Sequence, residues 1–391
     1  MTDIVVIGGS IVGSSVAYHM AMAGHAAEVC VIEPDPNYAW AAAPRSAGGV
    51  RLMYGLPENI EMSRYGREVF LDFARLMDVD GQPGIFPYRR HGYLYLATGR
   101  PKVRGLETSF AVQTGQGVAN ELLDRDALAE RFPFLRTDDV DAGLFGPDDG
   151  TIDPHAALTG IRRKAESLGV RYVKDKVTGL EVCGSRVARV ALASGRSMKV
   201  DAVVNVAGAW APAICAMVGM DVPVEPLSRP TFHFDAARPV GEVPLTKDSS
   251  GVMFRNEGAG YATGLTPADA KGGFQWEVQQ SDYDQFESVI WPALAHRVPA
   301  FEQIKLRRAW AGHYAMNWFD GNAIIGSWSG RVDNFFFALG FSGAGLQKAP
   351  AIGRALTELI TEGGYQTIDL TRLSYQRVLD NEPLVETGFK A

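Results

Sequence analysis

Four apolar residues, Ile4-Val5-Val6-Ile7, lead into Gly8-Gly9-Ser10-Ile11-Val12-Gly13 and an amphipathic stretch to Gly24. A second apolar run, Val29-Cys30-Val31-Ile32, follows and ends on Glu33. Short continuous apolar runs read as strands buried on both faces, and the stretch between them reads as a helix. Strand, glycine turn, helix, strand and terminal acid is the order that binds the ADP half of FAD or NAD. Gly8 allows the tight turn, Gly13 lets the helix pack close to the sheet, and the helix N-terminus turns unpaired N–H groups toward a pyrophosphate. Glu33, about 20 residues past Gly13, is placed to accept hydrogen bonds from a ribose. Ser10 stands where such loops carry their middle glycine; its backbone N–H can still face phosphate, and its hydroxyl adds a donor.

The pattern continues with an Ala-, Pro- and Gly-rich loop from Ala41 to Gly49 and a helix from Pro57 to about Met77, with Ile60, Tyr65, Val69, Phe70, Phe73 and Leu76 at roughly helical spacing. Gly92-Tyr93-Leu94-Tyr95-Leu96 alternates as a strand. A helix begins at Asp153-Pro154 and stops at Gly169, and strands follow at Arg171–Val173 and at Val187 to Leu192. Asp201 to Trp210 reads as a buried strand ending in small residues, and Arg229 to Leu265 reads as β structure. Asn334 to Leu339 is a further apolar strand. Phe341-Ser342-Gly343-Ala344-Gly345 makes a second glycine turn, and a helix from Leu346 to Ile360 is stopped by Gly363-Gly364. The predicted fold is α/β: a glutathione-reductase-like, Rossmann-like nucleotide domain (1–90, 145–225 and 310–391) and an inserted α+β substrate domain (91–144 and 226–309) on a mixed or antiparallel sheet. Nucleotide-fold segments at both ends of the chain favour FAD, a long ligand that stays bound through turnover.

Length and composition limit the alternatives. A chain of 391 residues suggests two domains. A net charge of −7 without a basic run argues against nucleic acid. Runs such as Phe335 to Leu339 are too short to span a bilayer. Met1-Thr2-Asp3 runs into a strand with no basic leader, so a cytoplasmic location is expected. Cys30, Cys183 and Cys215 have no metal or redox spacing, and no metal-ligand cluster stands out. Asp148-Asp149-Gly150 reads as a turn and Asp153-Pro154 as a helix N-cap region, not as a carboxylate pair.

Four segments carry a family resemblance: Val6 to Gly13, Asn205-Val206-Ala207-Gly208-Ala209-Trp210, Asp320 to Gly326, and Ala338 to Gln347. Together they resemble the D-amino-acid-oxidase-like FAD-dependent oxidoreductases, in the branch of sarcosine oxidase and dimethylglycine dehydrogenase. Leu56 to Ile60 and the run from Trp310 to Leu370 look especially like a mitochondrial member of that family known for assisting complex I assembly.

The resemblance implies oxidation of the C–N bond of a small secondary or tertiary amino acid (sarcosine-, dimethylglycine- or iminodiacetate-like), by hydride transfer to flavin N5 and hydrolysis of the imine. A D-amino acid or cyclic imino acid is the competing substrate class, and a flavin-bearing assembly or scaffolding protein is the alternative of another kind. Contacts to FAD are implied for Gly8, Gly9, Ser10, Ile11, Val12, Gly13, Glu33 and Pro34. The loop Arg45-Ser46-Ala47-Gly48, Val177, Ala207, Gly208, Trp210, Gly312, Gly340, Ser342, Gly343, Gly345, Leu346 and Gln347 are implied as well. Arg51 matches the arginine that pairs with the substrate carboxylate, a task suited to a planar fork that never loses charge. The turn at Gly343–Gly345 is expected to offer N–H groups to the flavin edge that gains negative charge on reduction.

Lys348 lies one residue past the substrate-binding lysine of sarcosine oxidases, where this chain has Gln347. His313, Tyr314, Tyr261 and Arg255 complete the expected pocket, with His313 as a possible base. Gly312 stands where monomeric sarcosine oxidases attach flavin through cysteine, and Arg45 where dimethylglycine dehydrogenases use histidine, so FAD is expected to be noncovalent. The oxygen-activating lysine of monomeric sarcosine oxidase falls near Ala262, which leaves the acceptor open between oxygen and an electron carrier.

Overall fold

The computed structural model describes residues 3–85, 88–265 and 271–388, and the expected leader-free start at Met1-Thr2 lies outside them. Its nucleotide half is built on a six-stranded sheet in the order Ile324–Trp328, Val332–Leu339, Ala202–Asn205, Ile4–Ile7, Val29–Ile32, Arg171–Val173. All neighbours run parallel except the antiparallel edge strand Ile324–Trp328. The three central strands are buried throughout, as a sheet covered on both faces requires. Helices Ile11–Met20, Pro154–Ser167 and Gly345–Thr361 close one face through Val6, Val16, Leu158, Ile161 and Ile352. A three-stranded sheet of Val177–Cys183, Arg186–Leu192 and Ser197–Lys199 closes the other, where Val187 and Val190 share a core with Val5 and Ile7.

The second half is an eight-stranded sheet in the order Ile304–Asn317, Val224–Ala236, Gly260–Gly264, Met253–Glu257, Leu245–Lys247, Tyr93–Ala97, Ala142–Gly146, Glu121–Leu123. Only the Leu245–Lys247 and Tyr93–Ala97 pair is parallel. One face buries Leu94, Leu96, Phe232, Phe234, Phe254 and Tyr261 against Ile290, Leu294 and Phe301. The opposite face carries Tyr93, Tyr95, Lys247 and Tyr314 and turns toward the nucleotide half. Ala142–Gly146 lies in this sheet, and so does the whole of Ile304–Asn317, a strand that the expected boundary at 310 would divide.

Some elements differ from the sequence pattern for physical reasons. The first helix is α-helical to Met20 and then widens over Ala21–His25 before Gly24 ends it at φ 92°. The helix expected from Pro57 to about Met77 is interrupted at Asp72, which separates Pro57–Leu71 from Phe73–Leu76. Helix Arg100–Gly115 escaped prediction because its apolar stripe is narrow: Leu106 is buried with Val103 and Phe110 partly buried beside it, and the other buried positions are the polar Ser109 and Gln113.

The segment 384–388 returns across the molecule to the turn that precedes helix Pro57–Leu71. Leu384 N–H donates to Asp320 Oδ2 (3.1 Å), and Asn322 Nδ2 donates to the Leu384 carbonyl (2.6 Å). Glu386 accepts from Gly55 N–H and from Asn59 Nδ2, and Thr387 Oγ1 donates to the Gly55 carbonyl (2.8 Å).

Candidate active site

The cradle for a dinucleotide is formed by backbone. Gly8 sits at φ 101°, a conformation side chains strain to adopt, and a Cβ on Gly13 would lie 1.8 Å from the Gly8 carbonyl oxygen. Ser10 caps helix Ile11–Met20 with no side-chain hydrogen bond, so its hydroxyl stands free beside the unpaired N–H groups of Ile11, Val12 and Gly13. Glu33 accepts from Gly9 N–H (2.8 Å) and Asp35 N–H (2.9 Å), and burial raises its carboxyl above the usual range. Pro34 follows it on the surface. Gly208, at φ 57°, has open space where its side chain would be, and Val177 starts the strand Val177–Cys183 of the three-stranded sheet.

Donors at a helix N-terminus, an acid one strand away and open space at Gly208 fit the pyrophosphate, ribose and body of FAD. FAD, when bound, supplies a two-electron acceptor.

At the opposite end of the cradle, the loop Gly340 to Gly345 lies on Tyr314: a Cβ on Gly343 would meet its ring at 2.4 Å. Ser342, at φ 49°, accepts at Oγ from Asn317 N–H (3.0 Å), and Leu346 packs into the core behind it. The loop Arg45-Ser46-Ala47-Gly48 meets the large sheet here. Trp310 Nε1 donates to the Arg45 carbonyl (3.1 Å), Arg45 Nη1 donates to the Ala311 carbonyl (2.7 Å), and a Cβ on Gly312 would lie 3.1 Å from Arg45 Cβ. The Arg45 guanidinium stacks 4.2 Å from the Trp40 ring.

Between the two halves, Arg51 is set among phenols. Its guanidinium lies 4.6 Å from the Tyr54 ring centroid and 5.6 Å from that of Tyr93; Tyr95 and Tyr314 also act on it electrostatically. Its buried Nε has no hydrogen-bond partner, and no carboxylate among the described residues forms an ion pair with it. Burial raises the pKa values of Tyr54, Tyr93 and Tyr95, so all three remain neutral hydroxyl groups. Arg229 lies 5.1 Å from the Tyr314 ring centroid. Lys247, the register partner of Tyr95, is lowered to about 8 by burial and then by Arg51 and Arg229.

Several expected pocket residues have other duties. Tyr261 is not in the site: it is buried on the far face against Phe234 and Phe301, and its hydroxyl accepts from Val240 N–H (3.0 Å). Arg255 is paired with Glu257 (2.7 Å) and donates to the Asn256 carbonyl (2.7 Å). His313 points to the opposite side of its strand from Tyr314. Its Nε2 meets the backbone N and O of Gln275 at 3.0 and 2.9 Å, and its ring packs among Trp40, Phe274 and Trp276. That placement takes it away from Arg51 as a base.

Gln347 braces Arg51 from behind: its Oε1 accepts from Arg51 N–H (2.8 Å), and its Nε2 meets Ser63 Oγ (3.2 Å) and Tyr54 Oη. Lys348 donates to Asn59 Oδ1 (2.6 Å), lies 4.3 Å from the Tyr54 ring centroid, and is lowered to about 7 by burial. Trp210 stacks on Phe274 at 5.3 Å and stays partly exposed. Tyr54, Tyr93, Tyr95, Lys247 and Arg229 carry no motif in the sequence; the alternation of Tyr93 and Tyr95 with Leu94 and Leu96 is the one available signal. Asp149, also unmarked by any motif, is buried, accepts from Leu52 N–H (3.1 Å), and is raised to about 7 by burial.

A family model described as FAD dependent oxidoreductase (DAO) matches residues 3–359. The chain belongs to the DAO family of FAD-dependent oxidoreductases. It is 34% identical to FAD-dependent oxidoreductase domain-containing protein 1 of Xenopus laevis, over 98% of this chain and 84% of that protein. Human mitochondrial sarcosine dehydrogenase is 25% identical over 92% of this chain, which spans only 40% of that enzyme. Among solved structures, L-proline dehydrogenase from P. horikoshii superposes with a TM-score of 0.87 at 25% identity, covering 98% of this chain and 99% of that one. The DAO membership makes FAD the cofactor and the protein an oxidoreductase. No helix among the described residues is long and apolar enough to cross a membrane.

Proposed function

We propose that this DAO-family protein oxidises the C–N bond of a small secondary or tertiary amino acid of the sarcosine, dimethylglycine or iminodiacetate kind. The observation that carries the reading is Arg51, a buried guanidinium with a free Nε, walled by tyrosines and not paired with any described carboxylate. It binds the substrate carboxylate, while Tyr54 and Tyr93 restrict the amine to one orientation and keep water from the reacting carbon. Gln347 fixes the clamp by holding the Arg51 backbone. The chain's residues position and desolvate; none acts as a nucleophile.

FAD is held without a covalent bond in this reading, because Gly312 offers no thiol and the Arg45 side chain is engaged with Trp40 and Ala311. Acid precipitation is expected to release the flavin; colour retained in the pellet overturns that part. Likeness to L-proline dehydrogenase over nearly the whole chain favours a cyclic imino acid as the second reading. Anaerobic mixing with sarcosine, dimethylglycine, iminodiacetate, proline and D-alanine is expected to bleach the flavin with at least one of the first three. Bleaching by proline alone selects the second reading. No bleaching across the panel overturns amine oxidation and favours an assembly role. A cytoplasmic site of action belongs to the same proposal and is checked by cell fractionation.

A further inference from the structure

Three cationic side chains converge on the tyrosine-walled space, and one carboxylate accounts for only one of them. Arg51 lies against Tyr54 and Tyr93. Lys247 projects from the strand beside Tyr95, as its register partner. Arg229 stands opposite Gly312 in the sheet, 5.1 Å from the Tyr314 ring centroid. Lys247 is within electrostatic reach of both arginines, and both disfavour its charge. Among the described residues none of the three has an ion-pair partner. Asp149 is the carboxyl that reaches Arg51 electrostatically, but burial favours its neutral form. Elsewhere in this half, cations with little exposure are matched: Arg297 with Asp139 and Asp248, and Arg255 with Glu257. Partly buried like charges repel, and an arrangement of this kind is stabilised when anionic groups enter among them.

We propose that the amine oxidised here carries a second carboxylate, which Lys247 and Arg229 receive while Arg51 holds the first. This rests on the reading of Arg51 as the carboxylate clamp. The substrate class is then a small dicarboxylic amine, such as iminodiacetate or an N-alkylated acidic amino acid, with its two acids on either side of the reacting nitrogen and carbon. Lys247 and Arg229 determine specificity; they add selectivity for the second acid to a clamp that recognises the first.

The test uses the FAD-loaded protein and carboxylates that cannot be oxidised, read from the change in flavin absorbance on titration near pH 7. Glutarate is expected to bind at least about tenfold more tightly than butyrate, the scale of one added charge-assisted contact. In Lys247→Met the preference is expected to fall toward unity, through loss of glutarate affinity, and Lys247→Arg is expected to restore it. Arg229→Gln should also reduce it. Flavin content and melting temperature confirm that each variant is folded.

Equal affinity for the two acids in the unmodified protein overturns the proposal, and so does a preference that survives both Lys247→Met and Arg229→Gln. If butyrate binds and Arg51→Met abolishes its binding, the clamp stands even when the second-acid proposal falls. If neither acid perturbs the flavin, both fall.

Discussion

Gly8, Gly13 and Gly343 shape the molecule through what they lack, whereas the roles proposed for Arg51, Lys247 and Arg229 rest on charge at the ends of long side chains. In the nucleotide half, the cradle consists of N–H groups and close backbone approaches fixed by the order of strand, turn and helix. In the substrate half, the site consists of side chains from strands far apart in sequence, and the register of the eight-stranded sheet decides which of them meet. A Cβ at Gly13 or Gly343 would meet other atoms at 1.8 or 2.4 Å, whereas Gly208 leaves open space.

The largest expected effect breaks the first side of this comparison. Gly13→Val places a Cβ 1.8 Å from the Gly8 oxygen, and the helix must move away from the strand. The purified variant is expected to carry little or no FAD, measured as flavin absorbance per protein; a full complement would show that the helix can shift without losing the cofactor. On the other side, Arg51→Met is expected to keep its flavin and to weaken carboxylate binding by about 100-fold, the value of a lost charged hydrogen-bonded pair.

A smaller effect follows from Lys247, which loses its proton as pH rises through about 8. Burial keeps the Tyr93 and Tyr95 phenols protonated over that range. The advantage of glutarate over butyrate should therefore shrink between pH 7 and pH 9, by up to about tenfold, as measured by titrating the flavin spectrum. An unchanged ratio would remove Lys247 from the contact.

The smallest effect concerns stability. Asp149 has a folded pKa of about 7 against an ordinary 3.8, so the native state holds its proton more tightly than the unfolded chain. Its stabilising contribution is complete below pH 4 and is lost as pH rises to 7. Asp149→Asn, which has no such proton to lose, should gain in melting temperature relative to the unmodified protein from pH 5 to pH 8. A gap independent of pH would contradict this.

The same contrast explains what was legible in the sequence. Spacing alone places Gly8, Gly13 and Glu33, because a strand–turn–helix unit is local and its chemistry lies in the backbone. The resemblance brought Arg51, Tyr314 and the Gly343 turn to notice. Alternation shows that a strand has two faces but not which one looks toward the cofactor. Tyr261 and Tyr93 both occupy alternating β segments, yet Tyr261 falls in the Phe234 and Phe301 core and Tyr93 falls beside Arg51. Tyr314 and His313 are neighbours in sequence and part company for the same reason. Lys247 has no local mark of importance; its position follows from a parallel pairing with Tyr93–Ala97, a strand distant in the chain.

The six-stranded sheet sets Val332–Leu339 beside Ala202–Asn205, and helix Gly345–Thr361 covers the first-made helix, Ile11–Met20. During synthesis, the Gly8–Gly13 turn leaves the ribosome long before the Gly343 turn. If both turns hold FAD as proposed, its tight retention reports that translation has passed both, and a chain that stops between them lacks the helix that covers Ile11–Met20.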